Sequence, residues 1–211
     1  MELSTAILSV AAALTLGAMS PGPSFVMVAR TALAVSRKDA LAAAVGMGIG
    51  GLLFSVIALL GLLALLAAVP VIHAAVQVLG GGYLLYLGYR IWRGARQRLT
   101  ISDVSVQGCP SRVWRSFVLG LATQVSNPKT AVVYASVFAS LLPTEVPAFV
   151  LVALPIMIFI IETTWYSVVA IALSAPSPRA RYLASKVWLD RAAGAIMSLL
   201  GTKLIFEAQQ P

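Results

Sequence analysis

Proline interrupts two apolar runs where a membrane-spanning helix would otherwise continue. Ser20-Pro21-Gly22-Pro23 breaks the first long hydrophobic stretch, and Ser126-Asn127-Pro128-Lys129 breaks the fourth. Proline has no backbone N–H, and its ring clashes with the carbonyl four residues earlier. Pro21 therefore frees the carbonyl of Gly17, Pro23 that of Met19 and Pro128 that of Gln124. Hydrocarbon offers no partner to such groups, so broken backbone persists only against protein or a wet cavity. Interrupted segments at corresponding places in two halves point to a transporter's binding site.

Composition places the chain in the membrane class. It is 60% hydrophobic and 10% charged, with a mean hydropathy of +0.94. A soluble domain carries roughly 25% charged residues. The 211 residues suit one transmembrane transporter domain, 1–211, with no room for a soluble module. Cys109 is the single cysteine, which excludes an internal disulfide and a CxxC redox pair, and His73 is the single histidine. No metal site, cofactor or catalytic residue is expected.

A spanning helix needs about 20 mainly apolar residues. Leu3 to Ala29 and Ala40 to Tyr89 carry no charge, and the second is long enough for two spans with Pro70 at the turn. Ser116 to Leu142 carries Lys129, Val146 to Ala175 carries Glu162, and Val187 to Phe206 carries Asp190, Arg191 and Lys203. The pattern predicts an all-α membrane protein of six transmembrane helices. The first is not read as a cleaved signal peptide, because its only early charge is Glu2 and the apolar stretch is too long.

Basic residues set the orientation. Arg30, Arg37 and Lys38 fall between helices 1 and 2. Arg90, Arg93, Arg96, Arg98, Arg112 and Arg115 fall between helices 3 and 4; Arg179, Arg181, Lys186 and Arg191 fall between helices 5 and 6. Lys/Arg excess marks the cytoplasmic side. Both termini are then predicted to be periplasmic. Topology thus accounts for the +8 net charge, and no basic face on a soluble fold argues for nucleic acid. Tyr83, Tyr86, Tyr89, Trp92, Trp114 and Trp188 read as interfacial anchors in the lipid bilayer.

Six spans divide into two sets of three, and an odd number inverts the second set. The expected halves are about 1–95 and about 113–211, joined by a basic cytoplasmic loop, with helices 1 and 4 broken. Gly81 and Gly88 stand seven apart in helix 3, as Gly194 and Gly201 do in helix 6. Helix 2 carries Gly46, Gly48, Gly50 and Gly51. Small residues let helix backbones approach closely, which also makes a homodimer an expectation.

The breaks suggest an anion site. Asparagine is a strong N-cap and proline suits the first helical position. Asn127-Pro128 therefore reads as the start of a half-helix, as does Ser20-Pro21 or Gly22-Pro23. A half-helix N-terminus presents unpaired N–H groups and the positive end of a dipole, which attracts a carboxylate. The plainer reading is a kink healed by serine or water. Lys129 and Glu162 are the only charges well inside the apolar core. Such residues are costly and functional by default. They read either as a structural ion pair or as groups acting on substrate: Lys129 for a carboxylate, Glu162 for an ammonium or a proton.

The blocks SPGPSFVMVARTAL, AAAVGMGIGG, GGGYLLYLGYRIWRG, FVLGLATQVSNPKTAVVYASVF and DRAAGAIMSLLGTKLI resemble, in order, those of the LysE/RhtB amino-acid exporters, including the homoserine/threonine branch. The resemblance implies a bacterial inner-membrane exporter driven by the proton gradient. It implies that Pro21, Gly22, Pro23, Asn127, Pro128 and Lys129 fall in the transport core. Asp39-Ala40 departs from the small residue and glycine common in that branch, and Glu162 belongs to no carried-over motif.

The leading expectation is a secondary exporter of small, neutral amino acids or derivatives. The substrate-binding candidates are Ser20, Pro21, Gly22, Pro23, Ser126, Asn127, Pro128, Lys129 and Glu162. Glu162 and Asp39 are the proton-coupling candidates. A second cationic group on the cargo would need another buried acid, and the spans offer none; Asp39 at the cytoplasmic mouth is the nearest. The alternatives are export of basic amino acids or another small metabolite, or a non-transporting structural or regulatory subunit. A membrane enzyme would need a nucleophile with a base, or metal ligands, and nothing pairs with His73 or Cys109.

Overall fold

The computed structural model describes residues 3–20, 22–68, 70–96, 112–143, 146–174 and 176–209, and the side chains of these except 63–77, 176–183 and 207. Pro21, the loop around Cys109 and the side chain of His73 lie outside that description. The described residues form eight α-helices and no strand. They are α1 (Leu3–Met19), α2 (Pro23–Ala34), α3 (Arg37–Ala68), α4 (Pro70–Gly94), α5 (Val113–Val125), α6 (Pro128–Leu141), α7 (Val150–Leu173) and α8 (Pro176–Glu207).

Proline opens four of these helices, α2, α4, α6 and α8. Its missing N–H costs nothing in the first turn, and its fixed φ suits the helix. The first expected span is thus two helices, α1 and α2, bent by 54°. The fourth is α5 and α6. The sixth departs from expectation. Residues 176–186 were expected to join helices 5 and 6, yet α8 already begins at Pro176. Arginine, alanine and lysine are good helix formers, so Pro176 at N1 starts a helix that runs on through the basic stretch.

Among the described residues, Arg37–Leu62 and Val150–Leu173 are each long and apolar enough to cross a membrane, and the bent α1–α2 pair adds a third. Their lipid-type surfaces stay apolar: Ile57, Leu60, Val152 and Ile160 are exposed. Tyr86, Tyr89, Trp92, Trp114 and Trp188 are exposed as well.

Two apolar clusters flank the broken backbone. Val10 and Leu14 of α1 pack with Leu84, Phe138, Ile158 and Met197. Phe25 and Val28 of α2 pack with Met47, Tyr166 and Val169. The chain passes from one cluster to the other at Ser20–Gly22. Glycine permits the tightest crossings. A Cβ on Gly81 would lie 2.7 Å from Gly201 O, and one on Gly88 would lie 2.6 Å from Gly194 O. One on Gly50 would lie 2.6 Å from Gln124 Cβ.

Candidate functional site at the two helix breaks

Each break has its own local chemistry. At the second, Asn127 is the N-cap of α6, and its side chain accepts from the Lys129 N–H at 3.0 Å. Pro128 is the first helical residue, as the sequence predicts. At the first, α2 starts at Pro23 rather than Pro21. Gly22 caps it in an extended conformation with no side-chain bond.

Side chains stitch the two breaks together. Ser24 Oγ donates to Gln124 Oε1 at 2.6 Å, and Asn127 Nδ2 donates to Ser24 Oγ at 2.9 Å. All three residues are buried. Lys129 crosses the other way. Its Nζ donates to Gly17 O at 3.1 Å and to Ser20 O at 3.0 Å. The carbonyl expected to be freed by Pro21 thus receives the lysine, at the C-terminal, negative end of the α1 dipole. The carbonyl expected to be freed by Pro128 is taken locally, since Gln124 O accepts from Asn127 N–H at 3.2 Å.

Of the two readings left open for Lys129 and Glu162, the direct ion pair is not what this arrangement contains. Glu162 Oε1 accepts instead from Tyr134 Oη at 2.8 Å, while Lys186 and Asp190 do form an ion pair. The two backbone carbonyls at the C-terminal end of α1 take up the lysine's donors and, with the helix dipole, favour its positive charge there. Gly51 makes room for the Tyr134–Glu162 contact. A Cβ there would stand 3.1 Å from both Tyr134 Oη and Glu162 Cγ.

Two cavities meet at Lys129. A vestibule of about 460 Å³ runs from Ser20, Gly22, Pro23, Asn127, Pro128 and Lys129 out to Arg90, Gly94 and Lys186. Behind it lies a void of about 20 Å³ bordered by Glu162, Tyr134 and Tyr166. Ser20, Gly22, Asn127 and Lys129 border both. The vestibule falls in the range of small-molecule sites, roughly 300–1,000 Å³. The void has room for about one water; Ser20 and Glu162 border it, and Ser20 Oγ and Glu162 Oε2 have no hydrogen-bond partner.

The profile of the LysE type translocator family matches residues 15–208. This chain belongs to that family. It is 34% identical to the threonine efflux protein of Escherichia coli (strain K12) over 187 residues, 89% of this chain and 91% of the relative. It is 26% identical to an uncharacterized membrane protein of Haemophilus influenzae over 192 residues, 90% of this chain and 91% of that one. It is 34% identical to the leucine efflux protein of Klebsiella pneumoniae over 119 residues, 56% of this chain and 54% of that one. No solved structure matches it.

The stretch matched by the LysE profile contains both breaks and every vestibule residue. Of the expected site residues, Ser20, Gly22, Pro23, Asn127, Pro128, Lys129 and Glu162 line one or both cavities. Ser126 is exposed and lines neither. Asp39 also stands apart. Its Oδ1 accepts from Arg112 N–H and Ser116 Oγ, each at 3.0 Å, and its Oδ2 from Ser36 Oγ at 2.5 Å. It ties the start of α3 to the start of α5. Sequence reasoning missed Ser24, Gln124, Tyr134, Arg90 and Asp190. Ser24 and Gln124 carried a signal, since each is a polar side chain within four residues of a break in an apolar run.

Proposed function

We propose that this LysE-family protein is a secondary exporter that carries small, neutral amino acids out across the bacterial inner membrane in exchange for protons. The observation that carries this reading is the vestibule that ends on the two helix breaks, with Lys129 at its floor. A cargo carboxylate would meet Lys129 and the start of α6. Ser20, Gly22, Pro23, Pro128 and Asn127 would shape the floor, and Pro21 and Ser126, beside them in the sequence, stay candidates. Glu162, behind Lys129 and bonded to Tyr134, would carry the coupled proton. Asp39 would act on coupling through the α3–α5 contact rather than at the cargo. The efflux names of the relatives support an amino-acid cargo.

The proposed architecture is a single domain, 1–211, of six spans. They form two inverted repeats, about 1–95 and about 113–211. Two observations support it. Proline opens the second and fourth helix of each set of four. The glycine pairs of α4 and α8 meet reciprocally: a Cβ on Gly194 would lie 2.8 Å from Gly88 O, and one on Gly201 would lie 2.5 Å from Gly81 O. Exchanging first for first and second for second glycine maps one contact onto the other, as an in-plane two-fold axis requires. Alternating access would then rock one repeat against the other about Lys129. The vestibule reaches Arg90 and Lys186 at the basic end, so it would open to the cytoplasm.

Inside-out vesicles test the proposal. Energised vesicles containing the protein should accumulate labelled L-threonine or L-leucine, and a protonophore should abolish the accumulation. Uptake no greater than in vesicles lacking the protein refutes amino-acid export. Uptake indifferent to the protonophore refutes proton coupling alone.

A further inference from the structure

No acid besides Glu162 and Asp39 was expected to meet a cargo cation, although the sixth expected span carries Asp190 near its start. The structure brings that residue to the cavity. Asp190 of α8 is 3% exposed and forms part of the vestibule wall. Its Oδ2 accepts from Lys186 Nζ at 2.6 Å. Its Oδ1 has no hydrogen-bond partner. Lys186 is 7% exposed and also donates to Ala95 O at 3.3 Å, which ties α8 to the end of α4. That tie explains the lysine. It does not explain a carboxylate on a cavity wall with one oxygen left over. A buried ion pair gives little stability beyond that of well-packed apolar residues, and a buried acceptor without a donor costs free energy.

The charges around the vestibule show what would fill the gap. Arg90, Lys129 and Lys186 are cations, and Asp190 is the one anion among the described residues lining it. Three cations suit a carboxylate. One carboxylate with a spare acceptor suits a single ammonium group. Glu162 is not available to that group from this side, because the void beside it is only large enough for about one water.

We propose that Asp190, held in place by Lys186, receives the α-ammonium group of the cargo in the vestibule while the cargo carboxylate points towards Lys129. The proposal rests on the amino-acid transport reading and gives it a second, separate recognition point. Its chemistry is a charge-assisted hydrogen bond from a primary ammonium to the Asp190 carboxylate, which turns Oδ1, itself out of reach of water in this arrangement, towards the vestibule. It needs no net negative charge, since Lys186 neutralises Asp190, so a neutral amino acid remains the better fit than lysine or arginine.

The test compares an amino acid with its 2-hydroxy acid, which keeps the carboxylate and skeleton but has a neutral hydroxyl in place of the ammonium. Inhibition of uptake into inside-out vesicles is measured for L-threonine and L-leucine, each against its matching 2-hydroxy acid. The wild type should prefer the amino acid at least tenfold. Asp190→Asn should bring that preference close to one by raising the apparent KM for the amino acid alone. A purely structural role would weaken both compounds equally. If Asp190→Asn folds poorly, Lys186→Met/Asp190→Asn replaces the pair with neutral groups and should fold. It should show the same lost preference. A wild-type preference retained in either folded variant overturns the subsite and leaves the transport reading intact. Wild-type vesicles that take up neither amino acid overturn both.

Discussion

Ser24→Ala tests whether the two helix breaks are held as one unit. Ser24 is the hub between them, accepting from Asn127 Nδ2 at 2.9 Å and donating to Gln124 Oε1 at 2.6 Å. Alanine deletes both bonds and leaves Asn127 Nδ2 and Gln124 Oε1 without a partner. Gln124 is fully buried, Asn127 is 4% exposed, and Gln124 Nε2 is already unpartnered. Gln124 lines neither cavity, so water does not replace the donor its Oε1 loses, whereas Asn127 borders both cavities and water there can take up its loss. An orphaned buried group costs about 1–3 kcal/mol, and Gln124 alone sets that as the minimum loss. One kcal/mol shifts the midpoint of a chain this size by roughly 2–4 °C, so a fall of at least ~2 °C is expected. The assay is thermal unfolding of the purified protein in detergent, read by tryptophan fluorescence at one fixed heating rate. Asn127→Ala removes the same Ser24 contact and also the α6 cap, worth about 1 kcal/mol. The double variant should fall short of the sum by about 0.5–3 kcal/mol, because one bond is shared. A Ser24→Ala fall below ~2 °C, or strict additivity in the cycle, refutes the idea that this hub holds the breaks together.

Lys129→Met leaves Gly17 O and Ser20 O without their donor, so folded yield and transport should both fall. Because Glu162 bonds Tyr134 instead of Lys129, adding Glu162→Gln should not restore either; an active double variant contradicts this geometry. Gly88→Ala should lower the yield of folded protein on size-exclusion chromatography, since its Cβ would meet Gly194 O at 2.6 Å. Gly82→Ala meets nothing within 4 Å and should fold at least as well as the wild type, so equal yields would undo the α4–α8 packing argument. In a variant lacking Cys109, cysteines at Thr144 and Ala208 should react with an impermeant thiol reagent in intact cells, whereas one at Ser102 should not. The opposite labelling pattern reverses the orientation.

The apolar runs, the proline starts of α2 and α6, the Asn127 cap and the need for close glycine packing were legible along the chain. Each depends on a missing N–H, a side chain within two residues, or the absence of a Cβ, and none of these needs a distant partner. The partners themselves were not legible. Lys129 bonds carbonyls 112 and 109 residues earlier, and Ser24 joins Gln124 and Asn127 across 100 and 103 residues. Asp39 read as a candidate at the cytoplasmic mouth but packs against Arg112 and Ser116. Asp190 read as one charge in an uncertain span but lies on the cavity wall. A buried charge takes the nearest adequate partner in space. Which group that is follows from how the helices cross, so it was decided only when the helices packed.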